Sequence, residues 1–141
     1  MRFRAVVAVA VIGALVAVAA AIGAVEKNSL HASLSGKVEV PKGDPDGRGT
    51  AEIKISGSEV CWEFKVSKIG TPTAAHIYKG GPGKTGPVVV PLGATYKSKG
   101  CSTATMAVAN AIQRNPSRYY VNIHNAKYPA GAVRGQLRSD G

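Results

Sequence analysis

Polar and apolar residues take turns along much of the chain after residue 28. In SLHASLSG, Leu30, Ala32 and Leu34 alternate with His31, Ser33 and Ser35. In TAEIKIS, Ala51, Ile53 and Ile55 alternate with Thr50, Glu52 and Lys54. In EVCWEFKV, Val60, Trp62, Phe64 and Val66 alternate with Glu59, Cys61, Glu63 and Lys65. Successive side chains of a strand point to opposite faces, so each stretch predicts a strand with one oily and one wet face. Gly57-Ser58 between the second and third predicts a hairpin. The stretch PKGDPDGRG, residues 41–49, is too rich in Pro, Gly and Asp for a regular element and predicts an exposed loop.

The second half continues the alternation. TAAHIY predicts a strand with Ala75 and Ile77 inward, and PVVVPL one bounded by prolines. YYVNIH predicts a strand with Val121 and Ile123 inward, and AVRGQL the last strand. One segment breaks the period. In STATMAVANAIQRNP, Thr103 or Thr105 can cap a helix at about residues 104–114, Met106, Ala109 and Ile112 share a face, and Pro116 ends it. About seven or eight strands with turns and one short crossover helix predict an all-β class: an antiparallel sandwich or barrel.

The N-terminus changes the setting. Arg2 and Arg4 precede an uncharged apolar run from Ala5 to Val25 that closes on small residues. This is the order of a secretory signal over residues 1–24, the alternative being an uncleaved membrane anchor. Residues 25–141 then form a single domain outside the cytoplasm, secreted or in the cell envelope. In that setting the two cysteines, Cys61 and Cys101, predict a disulfide, against the alternative of two separately buried thiols. The formal net charge is +10, and beyond Glu63 the single acid is Asp140. Such a surface favours anionic partners: an envelope polymer, an acidic glycan or a lipid headgroup. No nucleic-acid partner is expected outside the cell, and a membrane enters only if the N-terminal segment is retained.

Two stretches invite chemistry. Gly83-Lys84-Thr85 has the ending of a phosphate loop, but the position of its first glycine holds Tyr78, and a proline-bounded strand follows instead of a helix. Turn chemistry explains these glycines better. On the outer faces of their strands, His76 and Tyr78 face the same way, as do Tyr120, Asn122 and His124. If the strands are neighbours, His76 and His124 can approach and begin a zinc or copper site, with His31 the remaining histidine. No nucleophile elbow or carboxylate pair accompanies them, so no catalytic residues and no cofactor are expected. Arg134 shares a face with Gln136, where a guanidinium can tie loop carbonyls or bind an anion. Gly131 and Gly135 permit a tight turn and a close strand approach.

LSGKVEVP (34–41), AHIYKGGPGKTGPVVVPL (75–92) and YYVNIHNAKYPAGAVRGQL (119–137) together resemble the CHRD domain, first recognised as a repeat in chordin and common in exported bacterial proteins. The resemblance implies an extracellular Greek-key β-sandwich. In chordin such repeats belong to an antagonist of bone morphogenetic proteins. The family's His-Ile-His is here His76-Ile77-Tyr78, and its Gly-Glu-Ile-Arg-Gly-Gln is here Gly131-Ala132-Val133-Arg134-Gly135-Gln136. The expected function is non-catalytic binding or structural support, with His76, Tyr78, Tyr120, Asn122, His124 and Arg134 as the contact cluster. The alternative is a copper or zinc protein, or one like copper-zinc superoxide dismutase, using His76 and His124.

Overall fold

The computed structural model describes residues 10–17 and 29–140. The proposed signal segment falls mostly outside the described residues. The strands are β1 (Ser29–Ser35), β2 (Arg48–Ser56), β3 (Glu59–Ser67), β4 (Pro72–Lys79), β5 (Val88–Pro91), β6 (Lys99–Thr103), β7 (Tyr119–Asn125), β8 (Val133–Gln136) and the short β9 (Arg138–Ser139). One helix, α1 (Met106–Arg114), links β6 to β7. The strand order is β5-β4-β7-β8-β1-β2-β3-β6, with β9 alongside β1. Each described pairing is antiparallel. Ser102 Oγ donates to the Pro91 carbonyl at 2.9 Å, which brings the two edge strands together and nearly closes a barrel.

The alternation predicts the inside of this barrel. Leu30, Ile53, Ile55, Val60, Trp62, Ile77, Val121 and Ile123 are all buried in one core. Each such side chain contributes about 1.5–3 kcal/mol by leaving water. Gly57, at φ 59°, takes the first central position of the β2–β3 turn, where hairpin geometry favours glycine. Thr105 caps α1 by accepting from the Val108 N–H at 3.2 Å. Ala109 and Ile112 dock the helix on the core, whereas Met106 is 54 % exposed and does not share their contact.

Three parts of the fold differ from expectation. The strand β6 lacks alternation because Gly100 sits where a Cβ would run into the Trp62 ring, and Lys99 and Cys101 face solvent. The short β9 pairs with β1 at Leu30 and His31. The third difference matters most. The stretch after the short 3-10 turn Gly36–Val38 is the expected loop, with Pro41, Lys42, Pro45 and Asp46 exposed, but Gly43 and Gly47 are buried and pin it to the barrel. Gly43 N–H donates to the Gly36 carbonyl and Asp44 N–H to the Ala132 carbonyl, each at 2.9 Å. A Cβ on Gly36 or Gly43 would collide with the carbonyl of Asp44 or Ala132, respectively. These glycines serve close approach: the segment lies against the start of β8, over the outer side of the β7–β8 pair.

Cys61 and Cys101 sit opposite one another on β3 and β6 and form the expected disulfide. The link ties the edge strand to the sheet across a separation of 40 residues. In the chain-entropy picture such a closure stabilises the fold by about 4 kcal/mol. The double variant Cys61→Ser/Cys101→Ser is therefore expected to lose about that much in urea denaturation. An unchanged midpoint would contradict it.

Candidate functional site: a polar cluster beneath the glycine-rich segment

Register decides which outer side chains meet. Across β4 and β7, Tyr78 lies opposite Tyr120, His76 opposite Asn122, and Ala74 opposite His124. Across β7 and β8, Tyr120 lies opposite Gln136 and Asn122 opposite Arg134. Because Ile77, Val121 and Ile123 point into the core, all these polar residues share the outer face. The structure thus brings His76, Tyr78, Tyr120, Asn122, His124 and Arg134 into one patch. It is not the wet face that alternation implies. Every residue of β7 is buried, on the inside by the core and on the outside by Arg134 and Tyr78 over Tyr120, Glu39 over Asn122, and the Pro129 loop with Tyr78 beside His124.

At one end of the patch the two histidines meet. His76 Nδ1 and His124 Nε2 are 3.1 Å apart. Tyr78 Oη stands 3.0 Å from His124 Nε2 and 3.4 Å from His76 Nδ1. His124 Nδ1 is 2.9 Å from the Pro129 carbonyl. A carbonyl can only accept, so Nδ1 carries the hydrogen, and in the neutral ring Nε2 presents a lone pair. Burial lowers the pKa of both imidazoles, and the His124 ring lowers that of His76 further. Burial, then Tyr120 and Glu39, push the Tyr78 hydroxyl up, so it remains a hydrogen-bond donor.

At the other end lie the charges. Arg134 is 2 % exposed, and its guanidinium lies over the Tyr120 ring, 3.4 Å from the centroid. Tyr78 stacks on Tyr120 with ring centres 5.0 Å apart. Arg134 Nη2 donates to the Gly81 carbonyl at 2.9 Å and to Gln136 Oε1 at 3.1 Å. Gln136 Nε2 in turn reaches the carbonyls of Gly80, Ser117 and Tyr119. The guanidinium ties loop carbonyls, one of the two roles its position allows, and thereby holds the glycine turn at residues 80–86.

Glu39 belongs to the same cluster and was not among the residues the sequence singles out. Its carboxylate accepts from Asn122 Nδ2 at 2.7 and 2.9 Å. Gly131, at φ 141°, makes room: a Cβ there would strike Asn122 Nδ2 and the Glu39 carboxylate. A signal existed, since Glu39 interrupts the apolar positions of KVEV inside a family motif. Burial raises its pKa to about 7, against the opposing pull of Arg134, the Val40 N–H and Asn122.

An open cleft of about 460 Å³ runs beside the cluster. Lys37, Val38 and Val40 form one wall, Pro82 and Gly83 the other, and Arg134, Glu39 and Gln136 reach it from below. The remaining sequence candidates lie elsewhere. His31 Nε2 sits 2.9 Å from Asp140. Glu59, Cys61 and Cys101 come close enough to suggest a metal, but the disulfide occupies both sulfurs.

The Glu39 shift has a readable consequence. A carboxyl whose folded pKa lies above its ordinary 4.5 binds more protons folded than unfolded. Stability must then fall as pH rises from 4.5 through about 7. The buried histidines act the other way, but their contribution is complete once pH passes their ordinary 6.5. Between pH about 6.5 and 8 wild type is expected to lose stability, and Glu39→Gln to stay flat. Denaturant melts across that window check this; parallel curves for the two proteins would contradict it.

No curated protein and no solved structure matches the chain significantly. A family model described as the CHRD domain matches residues 30–137, which run from within β1 to just past β8 and include every residue of the cluster. The nearly closed antiparallel barrel, the paired register of the histidine and arginine motifs, and that match lead to one conclusion: the chain belongs to the CHRD domain family.

Proposed function

We propose that this CHRD domain works outside the cytoplasm as a non-catalytic binding module for an anionic ligand of the cell envelope, an acidic glycan or a lipid headgroup. One observation carries the reading. Arg134 reaches the cleft from a nearly fully buried position, and among the described residues it forms no ion pair. Its nearest counter-charge is the Glu39 carboxyl, which burial leaves only partly ionised near pH 7. A cation so weakly compensated favours an anionic ligand, and its planar fork suits carboxylate, sulfate or phosphate oxygens. Lys37 on the cleft wall and the net charge of +10 act in the same direction at longer range. The disulfide supports a location in an oxidising compartment.

The non-catalytic part rests on how the cluster is tied. Asn122 is held by Glu39, His124 by Pro129, and Gln136 by three backbone carbonyls. Groups committed in this way hold a surface in shape.

Glu39 regulates the binding. Its ionised carboxylate opposes an incoming anion, and protonation near pH 7 removes that opposition. Binding of a sulfated dextran and of phosphatidylglycerol vesicles, measured at rising salt, tests the reading. Affinity should fall steeply as the screening length drops from about 10 to about 3 Å. At pH 8, Glu39→Gln should bind several-fold more tightly and Arg134→Gln about tenfold more weakly. If both variants bind like wild type, the attraction is a diffuse surface effect and the cleft is not the site.

A further inference from the structure

We propose that His76, His124 and Tyr78 form a binding site for a divalent first-row transition cation, with copper(II) held more tightly than zinc. This site stands on different residues from the anion cleft, so either reading can fail alone.

The argument begins with the three polar atoms. His76 Nδ1, His124 Nε2 and Tyr78 Oη form a triangle with edges of 3.1, 3.0 and 3.4 Å. An ion at bond lengths of about 2.1 Å from all three would sit only about 1 Å out of their plane. The two nitrogens would then subtend about 95° at the ion, close to the right angle of tetragonal coordination. No side chain has to move to reach these distances, which are already those of ligands on one ion.

The supports are rigid. All three residues sit on hydrogen-bonded β4 and β7, each of which has a strand on both sides. The Pro129 carbonyl orients the His124 ring and aims its Nε2 lone pair at the site, the usual outer partner of a ligating imidazole. Tyr78 is held by its stack on Tyr120. The rings of His76 and His124 meet at 69°, so their edges converge without stacking. His76 and Tyr78 are half-buried, which leaves solvent access for water to complete the coordination.

The donor set selects the ion. Two imidazoles and one phenol oxygen suit copper(II) or zinc, whereas calcium and magnesium prefer shells of carboxylate and carbonyl oxygens. Copper(II) lies at the top of the affinity order for nitrogen and oxygen sites. The hydrogens now shared inside the triangle must leave when the ion enters. A neutral His76 can move its hydrogen to Nε2, but the phenol must release one proton to solvent if it ligates as phenolate.

The test loads the purified full chain with copper(II) sulfate, removes free metal, and measures bound copper, the electron paramagnetic resonance signal and the visible spectrum. The expected result is about one copper per chain with nitrogen coupling from two imidazoles, and a visible phenolate-to-copper band. Tyr78→Phe should keep the two-nitrogen signal and lose the band. The double variant His76→Gln/His124→Gln should lose the copper. Circular dichroism checks its fold, and single His76→Gln, altering a half-exposed residue, should lose one nitrogen coupling if the double variant does not fold. Copper below about 0.1 per chain in wild type, or a signal unchanged by His76→Gln, overturns the proposal.

Discussion

A strand buried on both faces must find a partner for every polar atom it carries, and β7 is such a strand. Its inner side chains meet the apolar core, and its outer ones meet a second layer made of loop. Tyr120, Asn122 and His124 therefore cannot rely on water. Unpaired, each would cost a few kcal/mol, enough to offset a large part of a small domain's stability. The outer layer answers most of that need: Glu39 takes the Asn122 Nδ2 hydrogens, the Pro129 carbonyl takes the His124 ring hydrogen, and Arg134 covers the Tyr120 face, while among the described residues Asn122 Oδ1 is left without a partner. Glycines 43 and 131 let the layer come close enough to do so.

That arrangement concentrates charge in a place with little solvent. Glu39 and Arg134 feel each other without forming a direct ion pair, and the carboxyl sits near half-ionisation at neutral pH. The same shielding keeps the two imidazoles neutral and close together. Binding chemistry and structural satisfaction thus draw on one set of residues. The groups that hold the outer layer in place are those that shape the cleft, and the paired histidines at its far end owe their approach to the β4–β7 register.

Much of this was legible in the sequence. Alternation identified the inward residues of β1, β2, β3, β4 and β7, because a core-facing strand writes its period directly into the chain. The helix was readable from Thr105 and the Ala109–Ile112 face. The five cluster residues of β4 and β7 were readable as sharing a face, since parity along those strands follows once Ile77 and Ile123 are inward; Arg134, on β8, joins them through the β7–β8 register. Parity cannot say what lies above a face. PKGDPDGRG looks the same whether its glycines bend a free loop or let backbone pass close to Ala132. Glu39 was overlooked for that reason: its partner Asn122 is distant in sequence, and only the folded path of the segment joins them. The edge strand β6 was hidden because Gly100 yields its space to Trp62, which erases the alternation.

The central claim is that the segment carrying Glu39 is a fixed layer over β7. Native-state hydrogen exchange at the Gly43 and Asp44 amides tests it most directly, because these N–H groups bond to Gly36 and Ala132 and fix the segment's path. The account predicts that both amides exchange slowly, on the scale of the β7 amides themselves. Exchange as fast as that of an unstructured peptide would mean that the outer face of β7 is open, contradicting the account of the cluster built on it.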